Sequence, residues 1–202
     1  MSTTAMLLAG QGNGQGTGQD AAMRTLTGRT ALPLLPLGGR TLIDHALDRL
    51  AEAGVARVVV AAHRHADQLG AHLRARSGPP PTELRHARGD ADGAAMVRGA
   101  LGEGRLGPSP FFVVNGEAFW LDGPEPALGR LLATFDEKRM DGLLLVHRAC
   151  QVMGEIGLGD VMLDKSGLVR RRAEREVAPY VYAGGQLLAP ALLAGPGDLD
   201  AA

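Results

Sequence analysis

AMLLAGQGNGQGTG, residues Ala5–Gly18, is the stretch whose reading decides the fold of this 202-residue chain. An uninterrupted apolar run, Ala5–Ala9, passes directly into a segment in which every second residue is glycine. The run reads as a strand buried on both faces, and the glycines as a loop leaving its carboxyl end. Such a loop can bring backbone N–H groups close to a phosphate. Its spacing matches neither the dinucleotide fingerprint nor GxxxxGK[ST], so a plain surface linker stays open beside the phosphate cradle.

Working outward, Leu32–Leu37 (LPLLPL) carries two prolines and is expected to be extended rather than helical. Thr41–Ala53 places Leu42, Ile43, Ala46, Leu47 and Leu50 at helical spacing, with Thr41 to cap the start and Gly54 to stop the end. Val55–Ala62 (VARVVVAA) is rich in β-branched residues and predicts a strand. A helix over Ala66–Arg76, a short strand over Thr82–His86, and the loop Gly89–Gly93 leading into a helix through Leu101 follow. Phe111–Val114 predicts a buried strand that ends in Asn115-Gly116-Glu117; Pro126–Phe135 predicts a helix and Gly142–Val146 another buried strand. This alternation implies an α/β fold with a mostly parallel central sheet and helices on both faces. Beyond Cys150 the rhythm changes. Asp160–Asp164, Leu168–Arg172 and Tyr180–Leu188 read as strands without intervening helices, with a hairpin turn at Asp164–Gly167. The expectation is one domain over residues 1–202, with an α/β part over 1–150 and a small antiparallel addition over 151–202.

Composition limits the function. Lys and Arg number 21 against 22 Asp and Glu, a formal net charge of −1. That balance leaves no excess of cations to displace phosphate counterions, so nucleic acid is not an expected partner. No apolar run approaches the roughly 20 residues of a membrane span, and the N-terminus lacks a basic-then-apolar signal. The single cysteine, Cys150, excludes an internal disulfide and suits a reducing compartment. The expectation is a soluble, cytoplasmic protein without a membrane partner. Only Lys138 and Lys165 are lysines, so nothing before position 138 can do a lysine's work. His63 and His65 follow a strand but have no third metal ligand nearby, and read as strand-end histidines. Arg170–Arg172 with Arg175, interleaved with Glu174 and Glu176, reads as a solvated charged face. Cys150 reads as a structural thiol.

Ala5–Gly12 (AMLLAGQG), Met23–Thr27 (MRTLT) and Pro33–Ile43 (PLLPLGGRTLI) resemble the N-terminal signature of the sugar-1-phosphate nucleotidyltransferases. Leu47–Val60, Phe111–Trp120 (FFVVNGEAFW) and Glu176–Gly195 (EVAPYVYAGGQLLAPALLAG) are similar to the branch that makes UDP-N-acetylmuramic acid. The resemblance implies a Rossmann-like, GT-A-like fold, with residues 1–150 on the nucleotide side and 151–202 on the sugar side. It implies a nucleoside triphosphate and a sugar phosphate as partners, transfer of a nucleoside monophosphate, UMP in this branch, and release of pyrophosphate. Catalysis in the family is positioning plus neutralisation of developing charge by Mg2+ and cationic side chains.

Carried over by motif, Leu8, Ala9, Gly10, Gly12, Arg24 and Gly93 would contact the nucleotide, with Arg24 also catalytic. Glu117 would be the metal and catalytic carboxylate, where the family has Asp. Asn115 and Asp160 would contact the sugar-phosphate substrate. Several phosphate-handling positions depart from the pattern. Ala22 stands in the place of the loop arginine and Leu32 in the place of the PKPL lysine, and Arg29 is the nearest cation to the latter. One glycine, Gly93, remains of a triple-glycine loop, and the chain ends at Ala202 before the family's closing segment with its second metal-binding Asp. These departures leave three readings open: an active sugar-phosphate nucleotidyltransferase with weakened activity, a non-catalytic relative that binds nucleotide, sugar phosphate or a protein, and a molybdenum-cofactor guanylyltransferase.

Overall fold

A computed structural model describes residues 3–9, 28–62, 65–87, 92–152 and 157–194. The apolar run that opens the chain forms strand β1, Thr4–Ala9, and pairs in parallel with β4, Arg57–Ala62, on one side and β6, Phe111–Asn115, on the other. β5, Thr82–His86, extends the sheet in parallel beyond β4. Strand alternation divides the side chains between two cores. Ala5, Leu7 and Ala9 join Val58, Val60, Phe112 and Val114 on one face, under α1 (Leu42–Glu52), α2 (Ala66–Ala75) and α4 (Ala127–Thr134). Met6 and Leu8 join Val59, Ala61, Phe111 and Val113 on the other, under α3 (Gly93–Gly102) and the single turn Ala191–Ala194. Each fully buried Leu or Phe contributes about 1.5–3 kcal/mol relative to exposure, which accounts for the hold of the helices on the sheet.

The remaining strands run differently. β10, Tyr180–Leu188, lies antiparallel to β6 through Gly185–Leu188, and β7, Gly142–Arg148, pairs antiparallel to its other edge. The element order alone does not reveal this insertion, since β7 precedes β10 by some thirty residues yet is separated from β6 by it. The hairpin β8 (Val161–Leu163) and β9 (Val169–Arg171) joins at Tyr180. A two-stranded hairpin, β2 (Pro36–Leu37) and β3 (Arg40–Thr41), leads into α1.

Two local expectations are corrected. Leu32–Leu34 is a 3-10 turn rather than extended chain, because Pro33 sits in its first turn, where a missing N–H costs nothing. Cys150, read from the sequence as a structural thiol, is instead exposed in a second 3-10 turn, Ala149–Gln151. His65 is the N-cap of α2, and His63 lies outside the described residues.

The seam between α1 and α2 centres on Asp44. Its backbone N–H donates to Thr41 Oγ1 at 3.3 Å, and the Thr41 hydroxyl donates back to Asp44 Oδ2 at 2.7 Å. His72 Nε2 lies 3.1 Å from both carboxylate oxygens, and Arg76 Nε lies 3.5 Å from Oδ1. Burial alone would raise the Asp44 pKa, but the hydrogen bonds from Thr41 and His72 and the positive charges of His72 and Arg76 outweigh it and hold the carboxyl below 3.8. A depressed carboxyl pKa stabilises the fold above the unfolded value and loses that contribution as pH falls through the folded one. Denaturant unfolding of the wild type and Asp44→Asn should therefore differ clearly at about pH 6, and the gap should narrow progressively as pH falls below the ordinary carboxylate range. A gap independent of pH would show that the Asp44 charge is not what joins the helices.

Candidate active site

Because β1, β4, β5 and β6 run in parallel, their carboxyl ends lie along one rim, the place where open α/β sheets bind ligands. Leu8 and Ala9 end β1 there, and Leu8 is in register with Asn115 at the end of β6. The turn after β6 then folds across β1. Gly116 N–H donates to the Leu8 carbonyl at 2.7 Å, and a Cβ on Gly116 would lie 2.5 Å from Leu7 Cδ2 and 3.1 Å from the Leu8 oxygen. Only a glycine passes this closely. The next residue, Glu117, is thereby set at the rim beside the end of β1, with its Oε2 out of contact with solvent.

β10 supplies the opposite wall. Gly185 is in register with Val114, so the antiparallel Tyr180–Gly184 half reaches past the carboxyl end of β6. There the β7 register slips between Tyr182 and Gln186, and Gly184 bulges toward β6 with φ +83°. A Cβ on it would stand 2.4 Å from Ala118 Cβ and 3.5 Å from Asn115 Cβ. A glycine pair inside a strand pattern signals a bulge or a close approach, and that signal was present in the sequence at Gly184-Gly185.

Asp160 spans the same wall further out. Its carboxylate accepts the Tyr182 N–H at 2.8 Å, and its own N–H donates to the Tyr180 carbonyl at 2.8 Å. It also borders a cleft of 700 Å³ with Leu144, Arg171, Arg172 and Tyr182. Burial pushes the Tyr182 phenol well above its ordinary pKa, so it stays neutral. Two arginines of the segment are held by internal partners: Arg170 forks onto Glu176 at 2.9 and 2.7 Å, and Arg172 Nε donates to the Gly159 carbonyl at 2.7 Å. The Arg170 hydrogen bond is the main reason the Glu176 carboxyl falls to about 2.

Gly93 is the first residue of α3, whose N-cap Asp92 accepts the Ala95 N–H at 2.6 Å. Leu32 is half-buried in its 3-10 turn, with the preceding backbone clamped by Gln68 of α2, which bonds the Ala31 N–H and the Arg29 carbonyl. Gly10, Gly12, Ala22 and Arg24 lie outside the described residues. The structure thus brings together Leu8, Ala9, Asn115 and Glu117, adds Gly184, which sequence reasoning did not single out as a site residue, and links Asp160 to them through β10.

A family model described as nucleotidyl transferase matches residues 4–179. The chain belongs to the nucleotidyl transferase family. The N-acetylmuramate alpha-1-phosphate uridylyltransferase of Caulobacter vibrioides is 36% identical over 184 residues, 89% of this chain and 75% of that protein. The catalytic subunit beta of the mannose-1-phosphate guanylyltransferase of Drosophila pseudoobscura pseudoobscura is 26% identical over 199 residues, 95% of this chain and 49% of its own length. Among solved structures, UDP-glucose pyrophosphorylase complexed with UDP-glucose superposes with a TM-score of 0.71 at 12% identity, covering 96% of this chain and 78% of that one. The inositol-1-phosphate CTP transferase from T. maritima gives 0.69 at 17% identity, with 95% and 72% covered. These likenesses establish the Rossmann-like nucleotidyltransferase fold for the chain. No helix among the described residues is long and apolar enough to cross a membrane.

Proteins of this family use a divalent metal, and the donors here fit one. Among the described residues no three His, Cys, Asp or Glu converge as a closed metal cage. A divalent ion shared with substrate phosphates does not need one, and the Glu117 carboxylate offers a hard oxygen donor at the rim.

Gly184 tests the geometry of the two walls. Gly184→Ala places a side chain in the left-handed region, at a cost of about 1–2 kcal/mol, and also drives a Cβ into Ala118. Unfolding should show at least that loss. Wild-type stability in the variant would mean that β10 and the β6 turn do not meet as closely as described.

Proposed function

We propose that this nucleotidyl transferase moves UMP from UTP to a sugar 1-phosphate of the N-acetylmuramate class, releasing pyrophosphate, with Mg2+ as its metal. The observation that carries the reading is the placement of Glu117 at the rim beside the end of β1, from which the glycine-rich stretch departs. The named activity of the Caulobacter relative supports the choice of base and sugar. In the reaction an oxygen of the sugar phosphate attacks the α-phosphorus of UTP, the bond from that phosphorus to the bridging oxygen breaks, and pyrophosphate departs with the electron pair. A metal bound at this site supplies charge neutralisation on the phosphate oxygens.

The chain's own residues do the rest on this reading. Glu117 anchors the cation. By the family motif, the stretch Leu8–Gly12 and Arg24 would meet the triphosphate, and Gly93, the first residue of α3, would meet the nucleotide. Asn115 and the β10 wall with Asp160 frame the sugar phosphate. The weakness lies at Leu32, where an apolar side chain stands in the place of the family lysine; losing one preorganised donor of this kind costs about 10²–10³ in rate. The same observation supports a second reading, a relative that keeps binding and has lost turnover.

Pyrophosphate release from UTP and N-acetylmuramate 1-phosphate, with and without Mg2+, decides between them. The expected result is a slow, Mg2+-dependent rate that Glu117→Gln lowers by about 10²-fold or more and Leu32→Lys raises by about tenfold or more. UTP binding without release, unchanged by Leu32→Lys, would establish the non-catalytic reading. A preference for GTP and a molybdenum-cofactor precursor over UTP and sugar phosphate would establish the guanylyltransferase.

A further inference from the structure

The segment that follows Glu117 has no regular structure until α4 begins at Ala127, yet it is tied down from one direction. Arg49, in the last turn of α1, reaches across to it with a side chain only 14% exposed. Its Nη2 donates to the Trp120 carbonyl, its Nε donates to Asp122 Oδ2 at 3.2 Å, and its guanidinium carbon lies 5.0 Å from the Phe119 ring centre and 4.9 Å from that of Trp120. The Nη1 end is turned back onto the His45 carbonyl at 3.3 Å, which fixes the plane of the group. His45 adds a ring contact to Phe119 at 5.1 Å. Asp122 completes the lock: Oδ1 accepts both the Trp120 indole N–H at 3.2 Å and the Ala127 N–H that opens α4 at 2.7 Å.

This arrangement holds residues 119–122 by a planar fork with two aromatic faces, which a lysine cannot reproduce. On the other side, the Gly116 bond to Leu8 holds the end of β6. Glu117 and Ala118 are the only residues between these two anchors. We infer that Arg49 is a positioning residue for Glu117: the grip of α1 on Phe119–Asp122 sets where the Glu117 carboxylate stands and hence how tightly the site holds a divalent cation. The inference rests on the reading of Glu117 as the metal carboxylate.

The test is direct Mn2+ binding by the full chain with UTP present, followed by the change in the Mn2+ electron paramagnetic resonance signal relative to the same concentration of UTP alone, which itself binds the ion. The wild type should bind, Glu117→Gln should bind poorly, and Arg49→Ala and Arg49→Lys should each weaken Mn2+ by about 10–100-fold, the usual effect of removing a group that orients a ligand. Arg49→Lys keeps the charge and the aliphatic stem, so it supplies the answer if the alanine variant does not fold. In the Glu117→Gln background Arg49→Lys should change Mn2+ affinity no further, a non-additivity that a merely structural contact does not produce. Folded Arg49→Lys that binds Mn2+ as the wild type does, or that weakens it equally in both backgrounds, overturns the role of Arg49 while leaving Glu117 as ligand. Wild-type Mn2+ binding that Glu117→Gln does not diminish overturns the Glu117 reading itself, and this inference with it.

Discussion

β10 runs against β6, and the site depends on that reversal. Had it been another parallel strand, it would have ended level with its neighbours at the rim and left only loops above it. Antiparallel pairing at Gly185–Leu188 instead sends Tyr180–Gly184 past the end of β6, where β7 and the β8–β9 hairpin pair with it. One strand is therefore part of the hydrophobic core through Leu187 and Leu188 and part of the wall facing the rim through Gly184. A strand rooted this way moves little, because displacing its outer half means unzipping pairs on both edges.

What was legible in the sequence was what local pattern determines. β1, β4 and β6 are buried on both faces, so each reads as a continuous apolar run, and each begins and ends within a residue or two of its expected place. α1 carries its own start and stop, Thr41 bonding Asp44 N–H and Gly54 taking a φ of +75°. The 3-10 turn at Leu32–Leu34 escaped because proline forbids the interior of a helix but not its first turn. The position of β10 escaped for a different reason. Strand order is set by pairings between distant segments, and nothing within YVYAGGQLL says which edge it will take.

The site divides along the same line. Asn115-Gly116-Glu117 was visible because the turn lies at the end of an unmistakable strand. Gly184 meets Asn115 and Ala118 across about seventy residues of chain, and Arg49 meets Trp120 and Asp122 across 71 and 73 positions. In the sequence Arg49 is one polar residue on an amphipathic helix and has nothing to distinguish it from Arg74. The fold alone supplies the aromatic faces and the carboxylate that give it a task.

The scarcity of lysine acquires a physical meaning here. An arginine fork bonds carboxylates and carbonyls in fixed planes, and the chain uses it as structural tie: Arg76 to Asp48 at 3.3 Å, Arg85 to Glu103 at 2.6 Å, Arg105 to Glu83, Arg170 to Glu176, Arg49 to Asp122. A lysine at a phosphate site works otherwise, as a compact point charge on a flexible stem that follows the group it neutralises. Leu32, on the proposed reading, stands where the family has that lysine, so the mobile charge is gone, and a neighbouring arginine such as Arg29 would have to meet a moving phosphate with a rigid plane. On the proposed reading, the carboxylate side of the site is kept in charge and in place by Glu117, while the cationic side is thinned. The transition state of phosphoryl-group transfer draws on both, so the rate is limited by the side that lost its charge.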